Sequence, residues 1–402
     1  MDFLKIIKIK IINIKIIFIK FFLLYIFIML QSLSLPKAYD RIKNDIIFYD
    51  NLNCKKLNKL YNKKNEYVPK HPFLSLILPT YNMEKYLCKL IGSILNQSFN
   101  NFEIIIINDC SNDKTENLIQ EFLFKLKKIK IINHSDNLGV YISRVDGVLN
   151  AKGKYILFID PDDMLLNKDL FKEIYYYNLE YNLDIIEFIV YYKNEGETNL
   201  YMPVDHKLNH FHNFSQKIIY QPELSNILFF DPRNKSYTDI ICRTIWNKII
   251  KKEILMKTIN FIGLDTNKNK YFNLAEDTIM NVLNFQYASN YSNIYLPGYM
   301  YNIRKESITH GDFEIKHIMM ICKSSLIYLN LLYKYIIFFN KNRNYLLYEI
   351  KEMKYYLLKL KYFNLTSLIF YTKEYLNYIL NDVYISKDLK IFVKNLSMIF
   401  NN

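Results

Sequence analysis

Four times after residue 73, a short apolar run ends in a polar stretch that leads into residues at helical spacing. The run Leu74 to Leu78 closes on Pro79. Leu87, Leu90, Ile91, Ile94 and Leu95 then mark one face of a helix beginning near Asn82. Phe102 to Ile107 reads as a second strand. Ser111 or Asn112 can cap the helix after it, with Leu118, Ile119, Phe122 and Leu123 as its buried stripe. Ile129 to Ile132 is a third strand, and a helix follows Gly139, with Gly153 fitting its C-terminal cap. Tyr155 to Ile159 is a fourth strand, followed by a helix from about Asn167 and a strand over Asp184 to Tyr192. Alternation of this kind implies an α/β fold, a parallel sheet with helices on both faces. In such sheets ligands bind beyond the carboxyl ends of the strands, so that is where chemistry is sought.

The flanks are of another character. The formal charge is +14, but about +9 of it falls in residues 1–70 and about +7 in 313–402, leaving about −2 for the stretch that holds the strands and helices. A protein that tracks phosphates would place its positive field on the working domain, so a nucleic-acid partner is not expected. Lys5, Lys8, Lys10 and Lys15 precede an apolar run from Ile16 to Leu30, interrupted by Lys20 and followed by small polar residues. This is the pattern of a secretory signal or signal anchor over residues 1–35, predicting a membrane-associated or secretory location. Residues 36–73 read as a polar stalk, 74–312 as the main domain and 313–402 as a helical region. Within the last, the stretch from Leu326 to Phe339 is too short to span a bilayer and reads as a packed or surface helix. Cys88 and Cys110 fall in expected packed elements, where a buried free thiol is the simplest reading. Glu276 to Ala288 reads as helix and Tyr291 to Tyr301 as extended chain, while residues 193–240 show no clear period.

Three strand ends carry polar groups: Pro79-Thr80-Tyr81-Asn82, then Asn108-Asp109-Cys110-Ser111-Asn112-Asp113, then Asp160-Pro161-Asp162-Asp163. Three carboxylates in four positions raise one another's pKa unless a cation neutralises them, and all-oxygen ligands suit Mg²⁺ or Mn²⁺. The other reading is an acidic turn in which Asp162 or Asp163 caps a helix. Asp109 either caps the next helix or accepts hydrogen bonds from a nucleobase or ribose. Glu276-Asp277, taken alone, is a helix start favoured by the helix dipole. Neither G-x-G-x-x-G nor G-x-x-x-x-G-K-[ST] occurs among the eight glycines, which argues against dinucleotide and P-loop chemistry.

The blocks LSLILPTYN from Leu74, FEIIIINDCSNDKT from Phe102, NLGVYISRVDGVLNAKGKYILFIDPDDM from Asn137 and AEDTIMNVL from Ala275 resemble family 2 glycosyltransferases of GT-A fold. The likeness runs to about residue 310, and IWNKIIKKEIL from Ile245 and YNIRKESIT from Tyr301 resemble the non-processive members. The resemblance implies a GT-A-type, mostly parallel sheet flanked by helices, to which the helical C-terminal region, outside the likeness, is added. It implies a Mn²⁺ or Mg²⁺ ion held by Asp162 and Asp160, and a nucleotide-sugar donor bound by Asp109, Asp160, Arg144, Pro79 and Tyr81. Asp277 is the implied catalytic base, and its place after the other blocks favours that role over helix capping. Trp246 either lines the acceptor site or packs in the core. The expected activity is inverting transfer of a single sugar, with UDP as the default nucleotide, to a hydroxyl of a glycan, protein or lipid. The Q-x-x-R-W string of processive synthases is absent. A phosphatase with D-x-D at a strand end is disfavoured because Asp160 follows the fourth strand, not the first. The remaining alternative is a membrane-anchored nucleotide-binding module without turnover.

Overall fold

The computed structural model describes residues 52, 68–197, 199–201, 217–221, 224, 244–263, 272–273 and 275–304, together with Ser324, Ile327, Tyr328, Leu331, Leu332, Lys334, Tyr335, Phe338 and Phe339.

 Those nine positions are all that the structure describes beyond residue 304. The expected signal or anchor, and nearly all of the expected stalk and C-terminal region, lie outside the described residues. Among the described residues, no helix is long and apolar enough to cross a membrane.

Among the described residues nine strands form one sheet. They are β1 (Leu74–Thr80), β2 (Phe102–Asn108), β3 (Ile129–Asn133), β4 (Tyr155–Phe158), β5 (Met164–Leu165), β6 (Ile185–Asn194), β7 (Ile218–Tyr220), β8 (Lys248–Lys251) and β9 (Asn290–Ile303). The order is β3-β2-β1-β4-β8-β6-β9-β5, with β7 pairing β9. The first four strands are mutually parallel; Leu74 stands opposite Phe102 on one side and Tyr155 on the other. β8 runs against both β4 and β6, which restores β6 to the common direction, and β9 is parallel to β6. Only β5, β7 and β8 run the other way, so the mostly parallel sheet expected from the sequence is present.

Among the described residues six helices flank it: α1 (Leu87–Leu95), α2 (Thr115–Lys125), α3 (Val140–Asn150), α4 (Leu170–Tyr181), α5 (Lys252–Ile262) and α6 (Glu276–Tyr287). The inner strands β1, β4 and β8 are buried along their whole length, as β1 shows with seven buried residues in a row. Coverage on both faces is what turns such strands into unbroken apolar runs. Successive residues point to opposite faces. Ile77, Ile105, Ile107, Ile156 and Phe158 accordingly join one core with α3, α5 and α6, which Tyr328, Leu331, Leu332 and Tyr335 complete. The described part of the expected helix over 326–339 is therefore packed against the domain.

Several local expectations are corrected. α1 starts at Leu87 rather than near Asn82, because residues 82–84 are engaged with the turn after β2. The Asn82 and Met83 amides donate to Ser111 Oγ (3.0 Å) and Thr115 Oγ1 (2.7 Å). Ser111 and Asn112 do not cap α2; Asp113 accepts the Thr115 amide instead, at 2.9 Å. Gly153 is not a helix cap, since α3 ends at Ala151 in extended backbone. It is needed for close approach, because a Cβ there would lie 2.5–2.6 Å from the Ser75 side chain and amide. Cys110 is an exposed free thiol in a turn, and Cys88, buried on α1, is disulfide-bonded. β5 and β8 are too short to register as strands in the sequence.

Gly147 brings α3 against β1, and a Cβ there would collide with the branched side chain of Ile77. Ala is favoured over Gly in a helix by about 1 kcal/mol, whereas overfilling a packed interface costs about 1–3 kcal/mol. Gly147→Ala is therefore expected to lower stability by about 1 kcal/mol net, measured as an earlier midpoint in urea unfolding.

Candidate active site

The common strand direction gathers the polar residues. Tyr81, Asp109, His134, Glu195 and Arg304 each stand one position past the end of a parallel strand, and Asp160 stands two past β4. All six therefore lie at the carboxyl edge of the sheet, where ligands bind. Three of the four non-glycine residues with left-handed backbone among the described residues adjoin the site: Asn82 (φ 53°), Cys110 (φ 61°) and Ala275 (φ 61°). Such strain persists only where surrounding structure imposes it, and it clusters at functional positions.

Asp109 is buried and heavily bonded. Its Oδ1 accepts from the Leu138 amide (2.8 Å) and faces His134 Nδ1 (2.7 Å), while Oδ2 accepts from the Gly139 amide (2.8 Å). Gly139 has φ 87°, a backbone that a side chain would disfavour. His134 Nε2 lies 3.0 Å from Asp146 Oδ2 on α3. The bonds to Asp109 and Asp146 push the imidazole up to about 9, so it is charged at neutral pH.

Two residues before Asp146, α3 supplies Arg144, which is buried and reaches the other cluster. It donates to Glu276 Oε1 at 2.7 Å and to Asp160 Oδ1 at 3.3 Å. Burial alone would lower its pKa, but Asp160, Glu276 and Asp277 outweigh that and raise it. Arg144, which the resemblance implied in donor binding, is enclosed and joins the turn after β4 to the start of α6.

Glu276 and Asp277 open α6. Enclosure raises the Glu276 carboxyl, with Arg144 opposing. Asp277, half-buried, is pushed up to about 7, first by desolvation and then by the charge of Glu276; Asp160 acts in the same direction. Asp277 thus shares one electrostatic environment with Asp160, although 117 positions separate them in the chain.

The three carboxylates after β4 part company. Asp163 is buried and takes Tyr299 Oη (2.8 Å) and the Asn302 amide (2.8 Å), so both its oxygens are committed to β9. Burial, then the charges of Asp162 and Asp160, raise it well above the carboxylate range. Asp162 accepts from Arg304 Nε at 2.6 Å. Burial raises its carboxyl, against the pull of Arg304. No other described residue donates a hydrogen bond to Oδ2 of Asp160 or Oδ1 of Asp162. Among the described residues no group of three or more His, Cys, Asp or Glu is gathered to hold a metal. Two open carboxylate oxygens nevertheless fit a hard ion whose remaining ligands are substrate oxygens and water.

Pro79 lies within β1 opposite Ile107, and Tyr81 is 41% exposed at the strand's end. Trp246 is buried, stacked on Tyr299 (4.8 Å) and Tyr301 (5.3 Å) with rings 18° from parallel. Of its two readings, packing is the one observed, against the tyrosine that holds Asp163. Sequence reasoning missed His134, Glu195, Tyr299 and Arg304 and left Glu276 without a role. Arg304 lies over the Tyr86 ring at 5.0 Å, and Tyr86 Oη donates to Glu195 (2.8 Å). Four of these five stand just past strand ends or at a helix start, the signal by which they could have been found.

Residues 75–259 match the family model described as glycosyl transferase family 2. The chain carries a family 2 glycosyl transferase domain. Its Asp109, Arg144, Asp160 and Asp162 lie inside the matched stretch, while Glu276 and Asp277 lie beyond it. The family 2 domain is similar to glycosyltransferase GlyA of Streptococcus pneumoniae serotype 4, with 28% identity over 236 residues, 59% of this chain and 31% of that one. An uncharacterized glycosyltransferase of Haemophilus influenzae is 41% identical over 103 residues, 26% of this chain and 41% of that one. The chain spans less than half the length of these relatives. Among solved structures, S. aureus TarS 1–349 in complex with UDP-GlcNAc is 21% identical with a TM-score of 0.45, covering 64% of this chain and 66% of that one.

Proposed function

We propose that this chain is an inverting, metal-dependent glycosyltransferase that moves one sugar from a UDP-linked donor to an acceptor hydroxyl. The observation that carries the reading is the cluster of Asp277, Glu276, Arg144 and Asp160, which sets a carboxyl raised to about 7 beside the D-x-D turn. A general base works best with a pKa near the working pH. In the proposed reaction Asp277 takes the proton of the acceptor hydroxyl, whose oxygen forms a bond to the anomeric carbon. The bond from that carbon to the diphosphate oxygen breaks on the opposite face, which inverts the centre. Asp160 and Asp162 would hold the divalent ion, and such an ion, when bound, stabilises negative charge on the departing diphosphate.

Asp109 supports a uracil base. A carboxylate has about four acceptor positions, and His134, Leu138 and Gly139 occupy three of them here. One remains, enough for the single N–H of uracil but not for the paired N–H groups of guanine. Tyr81, exposed beside it, offers a ring for the base to stack on. The basic and apolar N-terminal segment fits a signal or signal anchor, which would place the reaction at a membrane or in the secretory pathway.

The test is nucleoside-diphosphate release by the full chain from a panel of nucleotide sugars, with acceptor glycans, with Mn²⁺ and with EDTA. Release from a UDP-sugar that EDTA abolishes is expected. Asp162→Asn is expected to lower it by at least about a hundredfold, since a bound ion contributes several kcal/mol to such a transition state. Release that survives EDTA would remove the metal from the reading. Metal-dependent nucleotide binding with no turnover on any donor and acceptor would favour a binding module instead.

A further inference from the structure

We infer that His134 is a positioning residue for the donor base: clamped between Asp109 and Asp146, it fixes the carboxylate that the base must read. The inference rests on the proposed donor site and deepens it. The His134 side chain is 5% exposed, and each ring nitrogen faces a carboxylate oxygen, at 2.7 Å and 3.0 Å. Ionised carboxylates only accept hydrogen bonds, and a neutral imidazole has a single N–H to give. Both bonds are made together only by the doubly protonated ring, whose charge Asp109 and Asp146 share. Among the described residues these two are the charged groups acting on the ring, one from the end of β2 and one from α3, and they hold its proton to about pH 9.

The clamp reaches further than the histidine. Asp109 also takes the amides of Leu138 and Gly139, so β2, the loop after β3 and the start of α3 are tied at one carboxylate. A neutral ring keeps one bond and turns a lone pair towards the other carboxylate. With the lone pair on Nδ1, Asp109 keeps only the Leu138 and Gly139 amides and is repelled by the ring, which turns its remaining acceptor position.

The sign follows from a raised pKa: the clamp is intact below the folded value and opens as pH rises through it. Removing the Asp146 charge takes away one of the two influences raising the ring. An opposite charge at this distance is worth roughly 1–3 pKa units.

The experiment is calorimetric titration of the full chain with UDP and Mn²⁺ from neutral to alkaline pH, for wild type, Asp146→Asn and His134→Gln. The uracil imide also ionises at alkaline pH, but equally for every variant, so the readout is the displacement between profiles. Wild type is expected to keep its affinity up to about pH 9, and Asp146→Asn to lose it at least ~1 unit earlier. His134→Gln is expected to bind roughly tenfold more weakly, the loss of a hydrogen bond to a charged group. Superposed profiles for wild type and Asp146→Asn would overturn the inference while leaving the donor site standing. Should His134→Gln not fold, Asp146→Asn still decides, since its side chain is 34% exposed. A wild-type protein that binds no UDP would remove the donor reading itself, and the inference with it.

Discussion

Asp277→Asn is expected to lower the rate of sugar transfer by about 10²–10⁴, the usual contribution of a general base, with UDP affinity kept. Single-turnover transfer and calorimetric binding together check this. Burial, reinforced by Glu276, raises the Asp277 carboxyl to about 7, and only the ionised form accepts a proton. The rate is therefore expected to rise with pH through about 7 and then level off. Stability moves the other way. A group whose pKa is higher in the folded than in the unfolded chain favours folding most at low pH, and that contribution is lost as pH rises to its folded value. The asparagine variant carries no charge to bury, so at pH 8 it is expected to melt no earlier than wild type. A neutral substitution that removes turnover while preserving or improving stability would separate a working base from a helix-opening residue.

Arg144→Met is expected to be the most destabilising single change at the site. The guanidinium is the buried cation between Glu276 and Asp160, and removing one partner of a buried pair costs about 3–5 kcal/mol because the other is left uncompensated. For a domain of this size that is a fall in melting temperature on the order of 10 °C. Arg144→Lys is expected to recover only part of it, since an ammonium lacks the planar fork that serves two carboxylates at once. Arg144 also lowers the Asp277 carboxyl. In whatever fraction of Arg144→Met folds, the rising limb of the pH–rate curve should move to higher pH. A packing role alone would lower stability without moving that limb.

The parts of the fold that could be read from the sequence are those that local chemistry decides. β1 to β4 and the helices between them announce themselves because a strand buried on both faces must be apolar throughout and the helix after it must show a stripe. The two residues of β5 and the four of β8 are placed by their neighbours instead, β5 against β9 and β8 between β4 and β6. The same division runs through the site. Asp109, Asp160 and Asp162 were singled out because acidic residues after strands stand out, and Asp277 because its block follows the others in order. The enclosed position of Arg144 and the clamp at His134 were not, because each depends on partners from another part of the chain. Asp163 shows the converse. It is the third member of an acidic run, yet both its oxygens are committed to β9, and composition alone does not distinguish it from Asp162.

The position of β9 bears on how the molecule can be divided. The stretch that matches the family model ends at residue 259, whereas β9, at 290–303, lies inside the sheet between β6 and β5. A fragment cut at 259 would leave the long β6 as an open edge, with Asp163 deprived of its partners and the proposed base missing. An open, apolar edge strand is a template for aggregation. The smallest piece worth expressing alone must therefore run past Arg304, and far enough to include Tyr335, which closes the core. Sequence kinship and mechanical autonomy have different borders in this chain, and excision should follow the second.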